Sequence, residues 1–202
     1  MDLTDLLKGP LGNVLIDNVA GQFGLNKKEA GSAVGTAIPV ILGGMTRNAK
    51  SKTGADSLDK ALSGKHDGSL LDNLGSLLGG GGGVADLQKD GGGILGHVFG
   101  KNTGAVQTAA AKQAGISADK MAGIFTMLAP IVMGYLGKQK RSKQVGAGGL
   151  GDLLGGLLGG GTPQKSSGGL GGLLGGLLGG GSGKSSQAAM VDGLLDMVLK
   201  KK

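Results

Sequence analysis

The chain of 202 residues has no cysteine, no tryptophan, one tyrosine, three phenylalanines and two histidines. Without cysteine there can be no disulfide, no thiolate nucleophile and no Cys-ligated metal. So few aromatic rings leave little on which to stack unpaired bases, which argues against single-strand recognition. No run of about 18 or more apolar residues occurs, so a membrane-spanning helix is not expected. The opening MDLTDLLKGP lacks the basic start and long apolar stretch of a secretory signal, and the expected location is the cytoplasm.

Glycine is abundant instead, with 47 residues, and charge is unevenly spread. Residues 1–136 hold 12 Lys and Arg against 11 Asp and Glu, whereas 137–202 hold 9 against 3, so the net +7 belongs mostly to the tail. A near-neutral first part of that length can bury roughly two-thirds of its unfolded surface around one core.

An internal repeat organises that first part. GLNKKEAGSAVGTAIPVILG, from Gly24 to Gly43, returns as GISADKMAGIFTMLAPIVMG, from Gly115 to Gly134. Each copy reads as a helix ended by a glycine suited to the left-handed position (Gly24, Gly115). A short polar N-cap (Asn26, Ser117) then opens a second helix carrying a proline near its middle (Pro39, Pro130). The prolines are flanked by apolar residues on every side, and helices that are hydrophobic all round are buried ones. The expected fold is all-α, with duplicated helix-turn-helix units and proline-kinked central helices. The domain spans 1–140, with pseudo-repeats at about 10–50 and 101–137. Between the copies, 51–73 reads as two short helices. Gly79 to Gly83 reads as a break, and Ile94, Leu95, Val98 and Phe99 as a compact apolar turn.

The domain is expected to end near Leu136, with KQKRSK (138–143) as a solvated basic run. Residues 141–186 read as a flexible Gly/Leu/Ser-rich tail. Within it GLGDLLGGLLGGG (149–161) recurs as GLGGLLGGLLGGG (169–181). As helices, Leu153, Leu154, Leu157 and Leu158, and likewise Leu173, Leu174, Leu177 and Leu178, form apolar stripes. The paired glycines cost about 2 kcal/mol relative to alanine, while each buried leucine returns roughly 1.5–3 kcal/mol. Such a segment is helical only against another apolar surface. Residues 187–202 read as a short amphipathic basic helix.

The Gly-Leu-Asn turn before a helix with Pro39, the DGGGILGHVFG segment and the closing ISADKMAGIFTMLAPIVMGYLGK together resemble the bacterial domain-of-unknown-function 937 family, related to YidB-like proteins. The resemblance covers about the first 140 residues. It implies a bacterial all-α protein with a homeodomain-like helical arrangement and no assigned activity.

Catalytic candidates are few. His66, in GKHDG, reads as a solvated turn residue, and His97 as a partly buried histidine bonded to backbone. No acidic cluster has metal-ligand spacing, and no cofactor is expected. Gly146, Gly148 and Gly151 satisfy G-x-G-x-x-G, but no buried strand precedes them. GGGSGKSS has Leu178 where a phosphate-binding loop requires glycine. The helix that would enter a DNA groove offers Lys27 and Lys28, then Gly, Ala, Val and Ile, which suits packing better than base readout. The expected function is therefore that of a non-enzymatic, self-associating helical protein, with a small-molecule substrate not expected. Behind it stand a nucleic-acid-associated protein using a homeodomain-like core and the basic tail and peripheral membrane attachment through 187–202.

Overall fold

The computed structural model describes residues 9–79 and 83–158. Nine α-helices occur among them: α1 (Pro10–Phe23), α2 (Lys27–Ala49), α3 (Lys52–Ser63), α4 (Ser69–Asp72), α5 (Leu74–Gly79), α6 (Gly83–Phe99), α7 (Thr103–Ala114), α8 (Ala118–Ser142) and α9 (Leu150–Leu157). Short 3₁₀ turns at Gly100–Asn102 and Ala147–Gly149 lead into α7 and α9, and no strand is present among the described residues. The fold is all-α.

The same local devices recur 91 residues apart. Gly24 and Gly115 take positive φ of 57° and 74°, where a side chain would be strained. Leu25 and Ile116 then donate back to the carbonyls of Ala20 and Ala111 at 3.0 and 3.1 Å. Asn26 Oδ1 accepts the Glu29 N–H at 2.9 Å, and the Glu29 carboxylate accepts the Asn26 N–H at 2.9 Å, which makes a reciprocal capping box. Ser117 Oγ accepts the Lys120 N–H at 3.4 Å. With lysine at this third position no carboxylate returns the bond. Lys120 Nζ instead donates to the Gly24 carbonyl at 3.1 Å, tying the second helix pair to the turn of the first.

Both proline helices run on through their prolines, and they form the centre. α2 is buried continuously from Ala37 to Met45 and α8 from Met127 to Gly137. By length and composition α8 is apolar enough to cross a membrane, which the sequence reading did not anticipate. However, 78% of its apolar window is buried inside the protein, so the composition is that of a core helix.

A proline deprives the carbonyl four residues earlier of its usual donor. In α8 that carbonyl belongs to Thr126, and α6 crosses it there: a Cβ on Gly91 would fall on the Thr126 oxygen and carbon. The Gly91 Cα thus sits against the carbonyl, an approach suited to a weak C–H···O contact. Ile94, Leu95, Val98 and Phe99, expected as a compact apolar turn, lie instead inside the 17-residue helix α6 that this crossing supports. A Cβ on the neighbouring Gly92 or Gly93 would meet nothing within 4 Å.

The described chain continues past the expected boundary at 140. α8 continues to Ser142, and the chain stays on the body of the protein to Leu158. The basic run is not simply solvated. Lys138 pairs with Asp72 at 3.4 Å, Lys140 with Asp59 at 2.8 Å and Arg141 with Asp67 at 3.2 Å, while Lys140 also meets the Ser63 hydroxyl. These three pairs fasten the segment from α3 to α4 along the end of α8.

Candidate functional site

After α8, Gln144 adopts a positive φ of 51°, and Val145 donates back to the Lys140 carbonyl at 3.0 Å. This turns the chain back across the protein. Gly146 is extended, the 3₁₀ turn follows, and α9 then packs on α2 and α3. Four leucines face inward: Leu150 and Leu154 are 0% exposed, Leu157 3% and Leu153 7%. Leu158, expected on the same stripe, is half-buried at the helix end. At roughly 1.5–3 kcal/mol for each buried leucine, docking offsets much of the backbone entropy lost in ordering the helix, about 1–2 kcal/mol per residue.

The glycines of α9 have a different role from the one their size suggests. Small residues can let helices approach closely, but nothing lies within 4 Å of where a Cβ would stand on Gly151, Gly155 or Gly156. They lower intrinsic helicity by about 1 kcal/mol each relative to alanine. The segment therefore depends on its groove for structure. Leu173, Leu174, Leu177 and Leu178, the GGGSGKSS stretch and the helix expected at 187–202 lie outside the described residues.

The histidine readings are both reversed. His66 is 5% exposed because its turn is clamped to α8: a Cβ on Gly137 would strike the His66 carbonyl, so only glycine there admits the loop. Its Nε2 lies 3.6 Å from Asp90 Oδ2 on α6, and Asp90 Oδ1 is held by Lys65 Nζ at 2.5 Å. Its Nδ1 is buried with no hydrogen-bond partner. Burial, partly offset by Asp90 and reinforced by Lys65, lowers the His66 pKa below its ordinary 6.5. The imidazole is thus neutral at pH 7. His97 is exposed on its side chain, and its carbonyl accepts from Asn48 Nδ2 at 3.3 Å.

Both histidines line a cleft of about 580 Å³ among α3, α6 and the end of α2, with Asn48, Ser51 and Asp90 on its polar side and Leu58, Ile94 and Met133 on its apolar side. The pairing of His66 with Asp90 joins a turn to a helix 24 positions away, and no local pattern announces it. Among the described residues no group of three or more His, Asp or Glu could hold a metal ion. Asp67, in the same turn, accepts the Ser69 N–H at 3.0 Å, and that bond is the first cause of a pKa below the usual carboxylate value.

The helix considered for a DNA groove, the one that opens with Lys27 and Lys28, is α2, and α8 is its counterpart in the second copy. Both are core helices, α2 additionally covered by α9. Of the basic run, Lys138, Lys140 and Arg141 are already paired with carboxylates.

The geometry defines a class: an all-α protein with two capped, proline-bearing helix pairs at its centre and a leucine-glycine segment seated on the outside. Residues 5–139 match the family described as Bacterial protein of unknown function (DUF937), and the chain belongs to that family. The match ends before α9 begins at Leu150. No curated protein and no solved structure matches the chain.

Proposed function

We propose that this cytoplasmic bacterial protein is a non-enzymatic, self-associating interaction protein whose leucine-glycine tail is the adhesive element. The observation that carries the reading is the seating of α9: all four inward leucines are covered by the protein's own body. The stripe they form occurs twice in the sequence. Among residues whose side chains are described, Val14, at 41%, is the one large apolar side chain left exposed. Among those residues the body shows no second apolar seat, which supports cover for the stripe of 169–181 from another copy of the chain.

The non-enzymatic part of the reading is supported by the state of His66. The one nitrogen without a protein partner is shut away from solvent, and the other faces a carboxylate already paired with lysine. A general base needs an accessible nitrogen near the proton it takes.

Sedimentation velocity on the full chain over a wide concentration range tests the proposal. The wild type is expected to associate as concentration rises, and Leu173→Lys/Leu177→Lys to remain monomeric. A wild type that stays monomeric at the highest concentration removes the reading.

A further inference from the structure

The two leucine-glycine segments can be compared position by position, because 149–161 and 169–181 differ at a single place, Asp152 against Gly172. Asp152 is exposed on α9, on the side away from the groove. The buried positions Leu150, Leu153, Leu154 and Leu157 have identical counterparts in Leu170, Leu173, Leu174 and Leu177. Every residue that the groove is shown to bury is thus present again twenty positions later. We propose that the groove on α2 and α3 is a receptor for this leucine stripe rather than for one fixed segment, and that residues 169–181 are its second ligand, exchanging with 150–157.

The inference rests on the groove's proposed role as the tail's docking site. The outward glycines make exchange feasible, since a segment that is weakly helical alone folds as it binds and unfolds as it leaves. A Cβ on any of them would meet nothing within 4 Å, so no close approach at these glycines fixes α9 to this one position. The first copy wins when both are intact. From Val145, which packs against the core, Leu150 is 5 residues away and Leu170 is 25. Effective concentration falls as the −3/2 power of tether length, roughly a tenfold advantage. Asp152 in the first turn of α9 suits the positive end of the helix and adds roughly two- to five-fold.

One seat and two ligands leave one stripe per chain in surplus. Disabling the first copy then has an unexpected outcome: the second copy takes the vacant seat and is withdrawn from the surface, so association decreases. A tail that is merely sticky has no reason to behave so.

The test uses full-length protein with a spin label at Gly172→Cys, the counterpart of solvent-facing Asp152; the chain has no other cysteine. In the intact background, relaxation of the α3 amides by the label is expected to be weak. In Leu153→Lys/Leu154→Lys it is expected to become strong, and to persist when labelled chains are diluted into unlabelled ones. α3 amides that stay unaffected once the first copy is disabled overturn the inference. Sedimentation of the same variants reports separately on self-association: a monomeric wild type whose α3 signals nevertheless respond would remove the proposed function and keep the exchange.

Discussion

α2 and α8 begin alike and end differently. Each follows a left-handed glycine, opens on a short polar cap and runs through a buried proline. Yet Glu29 in α2 closes its own capping box, whereas Lys120, at the same place in α8, reaches across to the first turn. The carbonyl released by Pro130 receives Gly91 of α6, while the one released by Pro39 belongs to Gly35, where a Cβ would meet nothing within 4 Å. Position 137 is a glycine that admits the His66 turn, and its counterpart Thr46 bonds its own helix at Leu42 O. What the two helices share is thus what each needs for itself. Tertiary partners are chosen anew, and α8 has collected most of them.

The largest effect is expected at Gly91. Gly91→Val forces two backbones apart and should destabilise the protein by about 3 kcal/mol or more, toward or beyond the upper end of overpacking costs. Gly35→Ala in α2 and Gly92→Ala in α6, which meet nothing, should each stabilise by about 0.5–1 kcal/mol. Chemical denaturation of the three variants reads the contrast, and a harmless Gly91→Val would show that α6 does not cross α8 at the proline.

The next effect concerns the turn that only α8 carries. Because the folded-state pKa of His66 lies below 6.5, its contribution is fully present above pH 6.5, where the ring is neutral in both states. As pH falls below 6.5 the unfolded chain binds a proton that the folded chain resists, and stability declines until the folded pKa is passed. The slope from one such proton is at most about 1.4 kcal/mol per pH unit. His66→Gln should flatten the stability curve below pH 6.5; an unchanged slope in that window would mean the ring is not buried neutral.

The smallest effect separates the caps. Asn26→Ala removes one side of a reciprocal box and should cost about 1–2 kcal/mol, while Ser117→Ala loses one long hydrogen bond and should cost about 0.5 kcal/mol. Equal losses in thermal unfolding would erase the distinction between the two helix starts.

Much of this was legible in the chain itself, and the division has a physical basis. Caps, left-handed glycines and proline helices depend on neighbours within about four residues, so Gly24, Asn26, Gly115 and Ser117 announce their places. The buried state of His66 depends on Gly137 and on ion pairs with partners more than 60 positions away, which no local pattern encodes. GKHDG therefore reads as a solvated turn although its ring is enclosed. The helix through Gly91, Gly92 and Gly93 was missed for the opposite reason. Three glycines argue against a helix on propensity alone, and the gain comes only when Gly91 meets α8. The tail's dependence on an apolar surface could be anticipated from its leucine spacing, but the identity of that surface could not.

The meeting of Gly91 with Thr126 also sets a limit on how the core can move. α6 cannot slip along α8 by one turn, because such a step would present Leu87 or Leu95 to a gap that fits a bare Cα. Long apolar helices often tolerate several registers; here a missing side chain and a missing backbone donor meet at one point and leave a single alignment, a notch and peg made from what two residues lack.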